Sequence, residues 1–147
     1  MQKEKSPQFN FLSTFLQKII IMKTIKTISK YVSWLTGSEM HVESKNWISE
    51  LSFIKTEQSF FDTLIKIYTL QLISAKYFSS NRDIIGELSG SQNKNSQLLN
   101  AVINHEKKLQ VMVDEINQPK EENLYRLEHG NLIEEIQQYL SKYKKLK

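Results

Sequence analysis

Histidine is the residue of this chain best suited to chemistry near neutral pH. The 147 residues include three, His41, His105 and His129, and an imidazole can accept a proton or bind a metal ion. His105 and His129 each lie on the apolar side of a helical pattern. Antiparallel helices joined by a turn near Gln118 would bring these two side chains to one level of a bundle. We therefore expect them to meet in the interior.

A glutamine is predicted to join this pair. A turn near Ser80 would place Gln58 opposite Val102, one helical turn from His105, and Gln17 on the first helix would reach the same level. The predicted core polar layer, buried or half-buried, consists of Gln58, His105 and His129. A few hydrogen-bonded polar side chains inside a bundle fix the alignment of long helices at a cost in stability. The main interpretation of the layer is therefore a register-setting contact.

A metal site is the alternative for the same residues. His105 and His129 would supply imidazole ligands, and Glu57 or Glu106, expected at the edge of the layer, would complete the shell. Dinuclear bundle sites carry more carboxylates at fixed spacing, and the sequence lacks them. It also lacks a glycine-rich phosphate loop, a His-Glu-x-x-His motif and a nucleophile elbow. We therefore expect a protein that is not an enzyme, with no cofactor and no small-molecule substrate.

Helical periodicity runs through most of the chain. From Trp47 to Leu72 apolar residues recur at steps of four and three, which is typical of a coiled-coil seam. A second apolar stripe on the same helix indicates cover from more than one side; it contains Phe53, Phe60, Leu64 and Ile67. Only four glycines and two prolines occur, and nothing alternates as a strand would. The predicted helices span about 9–36, 38–78, 81–117 and 119–145.

Capping residues suggest where these helices begin and end. Gly37 would end the first helix and Ser38 would cap the second. Ser80 would cap the third. The polar segment 89–97 is predicted to stay helical, because the apolar pattern keeps its phase across it. Residues 1–8 are expected to form a disordered tail, and 9–147 a single domain.

Positive charge is concentrated at the start of the chain. The net charge is +4, and residues 1–37 contain six lysines and one glutamate. The rest is nearly neutral, which argues against a nucleic-acid partner. The segment 9–35 is predicted to be a basic amphipathic helix that packs on the bundle; alternatively it lies on an anionic membrane surface. The absence of cysteine fits a cytoplasmic location.

Apolar residues also gather where the second and third helices should meet. This possible interaction tip comprises Tyr68, Tyr77, Phe78, Ile84 and Ile85. The outer helices look too short to cover it. Its residues could pack on one another, or they could bind a second copy or a partner helix. His41, expected on the exposed start of the second helix, is assigned no role.

Seven segments carry a resemblance to known sequences: 33–35, 40–41, 44–51, 53–55, 68–72, 105–106 and 114–116. They resemble an uncharacterised bacterial family of short all-helical proteins with no assigned function. The resemblance begins near residue 22, so it also favours Met22 as an alternative start. It implies continuous long helices and no particular activity.

The sequence thus predicts an all-α fold: an elongated antiparallel helical bundle of three long helices plus an N-terminal amphipathic helix, with coiled-coil-like packing. The expected function is a structural or protein-interaction bundle. The alternatives are a peripheral membrane protein and a metal-binding bundle.

Overall fold

The computed structural model describes residues 7–68, 78–114 and 119–146, and nearly all of them are helical. Four helices follow one another: α1 (Pro7–Ser33), α2 (Gly37–Ile67), α3 (Phe78–Asp114) and α4 (Pro119–Leu146). No strand occurs in these described ranges. The prediction of an all-α helical bundle is confirmed.

Three helices, α2, α3 and α4, form the core. Lys94 on α3 contacts Glu135 on α4, and Lys108 contacts Glu128, so α3 and α4 are antiparallel. With 37 residues, α3 is about 55 Å long, which makes the bundle elongated. The buried apolar side chains include Met40, Trp47, Leu51, Ile54, Leu98, Val102, Leu109, Leu132, Ile133, Ile136, Tyr139 and Tyr143.

The junction between α1 and α2 differs from the prediction. α1 ends at Ser33, and Gly37 begins α2 instead of ending the helix before it. The N-cap is Thr36, not Ser38: the Thr36 hydroxyl accepts from the Glu39 N–H at 3.2 Å, and the Glu39 carboxylate accepts from the Thr36 N–H at 2.7 Å. This reciprocal capping box satisfies two backbone donors that a helix start would otherwise leave unpaired, and it outcompetes a cap at Ser38.

The second hairpin also differs from the prediction. α2 is capped at Tyr68, whose N–H donates to the Leu64 carbonyl at 3.0 Å. α3 begins at Phe78, so Ser80 lies inside its first turn and does not cap it. α3 then continues without a break through 89–97. At the start of the chain, α1 already includes Pro7; residues 1–6 of the predicted tail lie outside the described residues.

α1 is attached to the core at one end. Val32 and Leu35 are buried and Ile28 packs against them. Gly130 of α4 lies beneath this contact, where an added Cβ would be 3.5 Å from Val32 Cγ2. Ile21, two helical turns before Ile28 on the same side of α1, is exposed. The apolar stripe of α1 is therefore buried only towards its C-terminal end.

Candidate functional site

His105 and His129 meet in the interior of the bundle. His105 Nε2 lies 3.0 Å from His129 Nδ1, and both side chains are fully buried. Trp47 stacks on His129 with ring centroids 4.7 Å apart, and Tyr125 lies against His105 at 6.0 Å. The structure brings together the two histidines that the spacing placed at one level, and surrounds them with aromatic rings.

A glutamate faces each end of this histidine pair. Glu43 Oε2 lies 3.0 Å from His129 Nε2, and Glu128 Oε2 lies 3.6 Å from His105 Nδ1. An ionised carboxylate only accepts hydrogen bonds, so His129 Nε2 carries the proton and donates to Glu43. His129 Nδ1 then accepts from His105 Nε2–H. This order leaves His105 Nδ1 as a buried acceptor with no hydrogen-bond partner among the described residues.

Burial lowers the pKa of both imidazoles. For His105 the loss of solvent is the largest cause, the neighbouring His129 acts in the same direction, and Glu128 partly opposes both. For His129 burial also dominates, and the hydrogen bond to Glu43 opposes it. The pair is therefore neutral at pH 7. An added proton has one suitable place, His105 Nδ1 beside Glu128, because the other three ring nitrogens are already engaged.

Gln58 is buried, but it does not join the histidines. Its Nε2 donates to Ser91 Oγ at 2.9 Å and to Tyr139 Oη at 3.0 Å. Ser91 lies about three helical turns from Val102, the residue predicted opposite Gln58. The prediction of one three-residue layer is wrong because α2 ends at Tyr68, which changes the register between α2 and α3. Two separate polar contacts result.

The remaining polar residues of the predicted layer lie elsewhere. Gln17 is exposed on α1. Glu57 accepts from Tyr143 Oη at 2.8 Å; burial and this carboxylate raise the pKa of Tyr143. Glu106 Oε1 lies 2.8 Å from Nδ1 of His41, which is half-buried and not exposed as expected. Neither glutamate therefore completes a shell around the histidine pair.

The described ranges contain no group of three or more His, Cys, Asp or Glu side chains positioned to share a metal ion. His105 and His129 satisfy each other by a direct hydrogen bond, and each has one nearby carboxylate on the opposite side of the pair. The observed geometry fits a hydrogen-bonded register contact better than a ligand shell.

Three functional-site residues were missed from the sequence. Glu43 precedes Trp47 by four residues, so helical spacing could have placed it on the core side of α2. Glu128 is next to His129 in sequence but contacts His105 on α3, which helical spacing does not predict. Asn95 is fully buried, and neither of its amide atoms has a hydrogen-bond partner in the part of the chain that the structure describes. The helical phase places Asn95 on the apolar side of α3, which is the only signal that the sequence offers for its burial.

Three of the four residues of the second apolar stripe of α2 face solvent, whereas the fourth, Leu64, is half-buried. Phe53, Phe60 and Ile67 recur at intervals of seven residues and are 65%, 59% and 66% exposed. Between them, Thr56 and Thr63 donate their hydroxyl groups to carbonyls of their own helix at 3.2 and 3.1 Å. We call this surface the α2 outer stripe. None of the described residues covers these three apolar side chains.

α1 carries a comparable exposed surface, which we call the α1 seam. Its members follow steps of four and three: Leu16, Ile20, Thr24, Thr27, Tyr31 and Trp34. Ile20 is 63% exposed and Trp34 is 79% exposed. Thr24 and Thr27 donate to carbonyls of α1 at 2.9 and 3.0 Å. The two threonine hydroxyl groups of this seam therefore need no outside partner.

The predicted interaction tip is described only in part. Tyr68, Ile84 and Ile85 are exposed. Phe78 begins α3, but its side chain lies outside the described part, and so does all of Tyr77. The choice between mutual packing and binding of a partner at this tip stays a prediction.

Comparison of the chain with protein-family models, with curated proteins and with solved structures finds no match. The resemblance to a bacterial all-helical family stays a prediction. Within the described ranges, none of the helices has the length and apolar character needed to cross a membrane.

Proposed function

We propose that this protein is a non-enzymatic interaction module that binds protein through its helix surfaces. The observation that carries the proposal is the α2 outer stripe of Phe53, Phe60 and Ile67. A helix that is apolar on two faces usually has both covered, and contiguous exposed apolar surface marks interaction sites. α2 buries a different face in the core, from Met40 to Gln58, and the stripe does not belong to that core.

The buried polar contacts support the same proposal. His105 and His129 satisfy each other across α3 and α4, and Glu43 ties them to α2. Such contacts specify one alignment of long helices. A fixed alignment keeps the α2 outer stripe straight and continuous, which a helix-binding surface requires.

A photo-cross-linking experiment tests this proposal. A photoreactive phenylalanine analogue replaces Phe60 in the full chain, which is expressed in its native cells and irradiated. We expect a covalent protein adduct, identified by mass spectrometry. Asn100, exposed on α3, is the control position and should give none. Failure of Phe60 to form any protein adduct would exclude binding through the stripe.

Attachment to an anionic membrane surface is a second candidate. α1 carries four lysines and no acidic residue, and its exposed apolar side chains include Phe15 and Met22. However, Lys26 follows Met22 by four residues and shares its face, so charge and apolar surface are poorly separated. Flotation with anionic vesicles at low salt tests this candidate, and absence of binding removes it.

A further inference from the structure

We propose that the buried histidine pair is a two-state relay, in which Glu43 sets the direction of the hydrogen bonds along His105 and His129. When Glu43 withdraws, both rings change to the opposite tautomer, and His105 donates an N–H to Glu128. The relay connects the junction of α1 and α2, where Glu43 is partly exposed, with the surface of α3 and α4 near Glu128. This inference does not depend on the proposed function.

The geometry of the pair allows both directions. A neutral imidazole has one N–H donor and one acceptor nitrogen. His105 Nε2 and His129 Nδ1 lie 3.0 Å apart, and each of the two remaining ring nitrogens faces a carboxylate. With the proton on His129 Nε2, His105 also carries its proton on Nε2. With the proton on His105 Nδ1, His129 carries its proton on Nδ1. Both orders keep the hydrogen bond between the rings, so they differ only in which end of the pair donates.

The two carboxylates are unequal, and their difference selects the present order. Glu43 Oε2 lies 3.0 Å from His129 Nε2, whereas Glu128 Oε2 lies 3.6 Å from His105 Nδ1. Both oxygens of Glu128 also lie 3.4 Å from Lys108 Nζ, whereas the described residues give Glu43 no lysine or arginine partner. A closer carboxylate without a competing cation is the stronger acceptor. The donating end of the pair therefore faces Glu43.

Glu43 is the end of the relay that an outside group can reach. Its side chain is 27% exposed, and it lines a surface groove together with Tyr31 and Trp34. The charge of Glu43 raises the pKa of the Tyr31 phenol, so the carboxylate acts on the groove as well as on His129. A cationic group in the groove therefore competes with His129 for this carboxylate.

Withdrawal of Glu43 makes the opposite order the better one. The present order would then leave two buried ring nitrogens unpaired, the His129 Nε2–H donor and the His105 Nδ1 acceptor. In the opposite order His105 Nδ1–H donates to Glu128, and only His129 Nε2 is unpaired. Because each unpaired buried polar group disfavours the fold, the pair reverses.

The reversal leaves the number of protons on the pair unchanged. His129 Nε2 releases one proton to solvent in the groove, and His105 Nε2 passes one proton to His129 Nδ1. His105 Nδ1 takes up one proton from solvent on the side of Glu128. Each ring stays neutral before and after, so the reversal needs no added charge in the core.

Glutamine substitutions at the two ends of the relay should have opposite effects. In Glu43→Gln the side-chain amide can donate to His129 Nε2, and the opposite order then gives all four ring nitrogens a partner. In Glu128→Gln the amide can donate to His105 Nδ1, which pairs the same four nitrogens in the present order. The same change from carboxylate to amide therefore reverses the relay at one end and preserves it at the other.

Nitrogen-15 NMR of the imidazole rings measures the direction of the relay, because protonated and unprotonated ring nitrogens have well separated chemical shifts. The full chain carries His41→Gln, which leaves the pair as the only histidines. Spectra are recorded at about pH 8, above the ordinary imidazole pKa of about 6.5. We expect both rings to carry their proton on Nε2 in this background and after Glu128→Gln, and on Nδ1 after Glu43→Gln.

Three results overturn the relay. The first is an Nδ1–H tautomer in the background or after Glu128→Gln. The second is an Nε2–H tautomer that persists after Glu43→Gln. The third is a Glu43→Gln variant that fails to fold by circular dichroism, because the opposite order leaves no ring nitrogen unpaired.

A double-mutant cycle tests whether the two ends act as one unit. Substitutions at independent sites change stability additively. Through the relay, Glu43→Gln and Glu128→Gln each pair the one ring nitrogen that is unpaired now, so the melting temperature of the double variant should fall clearly short of the sum of the two single shifts. Glu135→Gln removes another carboxylate that pairs with a lysine of α3, and its shift should add to that of Glu43→Gln. Additive shifts for Glu43 and Glu128 overturn the relay.

Discussion

The buried histidine pair is the most informative feature at the scale of single residues. His105 and His129 share one hydrogen bond, and the glutamates at either end differ in reach: Glu43 is at 3.0 Å and Glu128 is at 3.6 Å. The carboxylate at Glu43 fixes the protons along the pair and leaves His105 Nδ1 without a partner. A buried acceptor left unpaired costs about 1–3 kcal/mol. The pair therefore specifies alignment at the expense of stability.

Acid should destabilise this bundle through the pair. Burial lowers the pKa of both histidines in the folded state, so the unfolded chain takes up protons that the folded chain does not. Stability is then full above the ordinary imidazole pKa of about 6.5 and falls as the pH decreases below it. The slope approaches about 1 kcal/mol per pH unit for each histidine. Urea unfolding measures this slope. It is carried out between about pH 8 and pH 5, which brackets the ordinary imidazole pKa of about 6.5.

Glutamine variants separate this effect from other acid effects. His105→Gln with His129→Gln retains hydrogen-bonding groups but cannot titrate, so the free energy of unfolding should become much less dependent on pH in this window. His41→Gln, which removes the half-buried third histidine and leaves the pair intact, is the matched control. An unchanged slope in the double variant would contradict the assignment to the pair.

Tryptophan fluorescence should report protonation of the pair before unfolding. An added proton goes to His105 Nδ1, and it strengthens the hydrogen bond from His105 Nε2 to His129 Nδ1. That bond polarises the His129 ring, which stacks on Trp47 with ring centroids 4.7 Å apart. Replacing the exposed Trp34 by Phe leaves Trp47 as the only indole. We expect its emission to change below about pH 6.5 while the helical signal is still native. Adding His129→Gln should abolish that change; its persistence would assign the signal to another group.

At the scale of elements, Gly130 decides how closely α1 approaches α4. An added Cβ would lie 3.5 Å from Val32 and 3.8 Å from Ile28, both ordinary contact distances. Gly130→Ala should therefore stabilise the protein by roughly 0.5–1 kcal/mol, since glycine disfavours helix interiors. Gly130→Leu adds further carbon atoms beyond the Cβ, towards Val32 and Ile28, and it should displace α1. Urea unfolding measures both variants.

Gly90 provides the control for this prediction. It also lies inside a helix, but an added Cβ there would meet nothing within 4 Å. Gly90→Ala and Gly90→Leu should both stabilise the protein modestly through helix propensity alone. If Gly130→Leu behaves like Gly90→Leu, α1 does not depend on close approach to α4.

The elements also show what the sequence could predict. Steps of four and three between Trp47 and Ile54 fixed the buried side of α2, because a 3.6-residue period leaves little choice of face. By contrast, the sequence could not predict which residues of α3 lie beside which residues of α2, since that alignment depends on where α2 ends. Gln58 therefore meets Ser91 and Tyr139 instead of the histidines. The meeting of His105 and His129 was predictable, because Pro119 begins α4 and so marks the connection between α3 and α4 closely.

At the scale of the whole molecule, burial is unevenly distributed. α2, α3 and α4 share one core, whereas α1 contributes Val32 to it, and Leu35 joins it just after α1 ends. Local periodicity predicts that α1 is a helix, but it does not say which of its residues find a partner. Leu16 and Ile20 have the pattern of buried residues and remain exposed. Local periodicity therefore identifies a helix without identifying which of its apolar residues are buried.

A shortened chain that starts at Met22 tests whether the exposed N-terminal half of α1 contributes to folding. It lacks Leu16 and Ile20 but keeps Ile28 and Val32, which contact Gly130. Because the deleted side chains with described positions are mostly exposed, the free energy of unfolding at low protein concentration should change by no more than about 0.5 kcal/mol. A large loss of stability in the monomer would instead mean that the N-terminal half of α1 packs within its own chain.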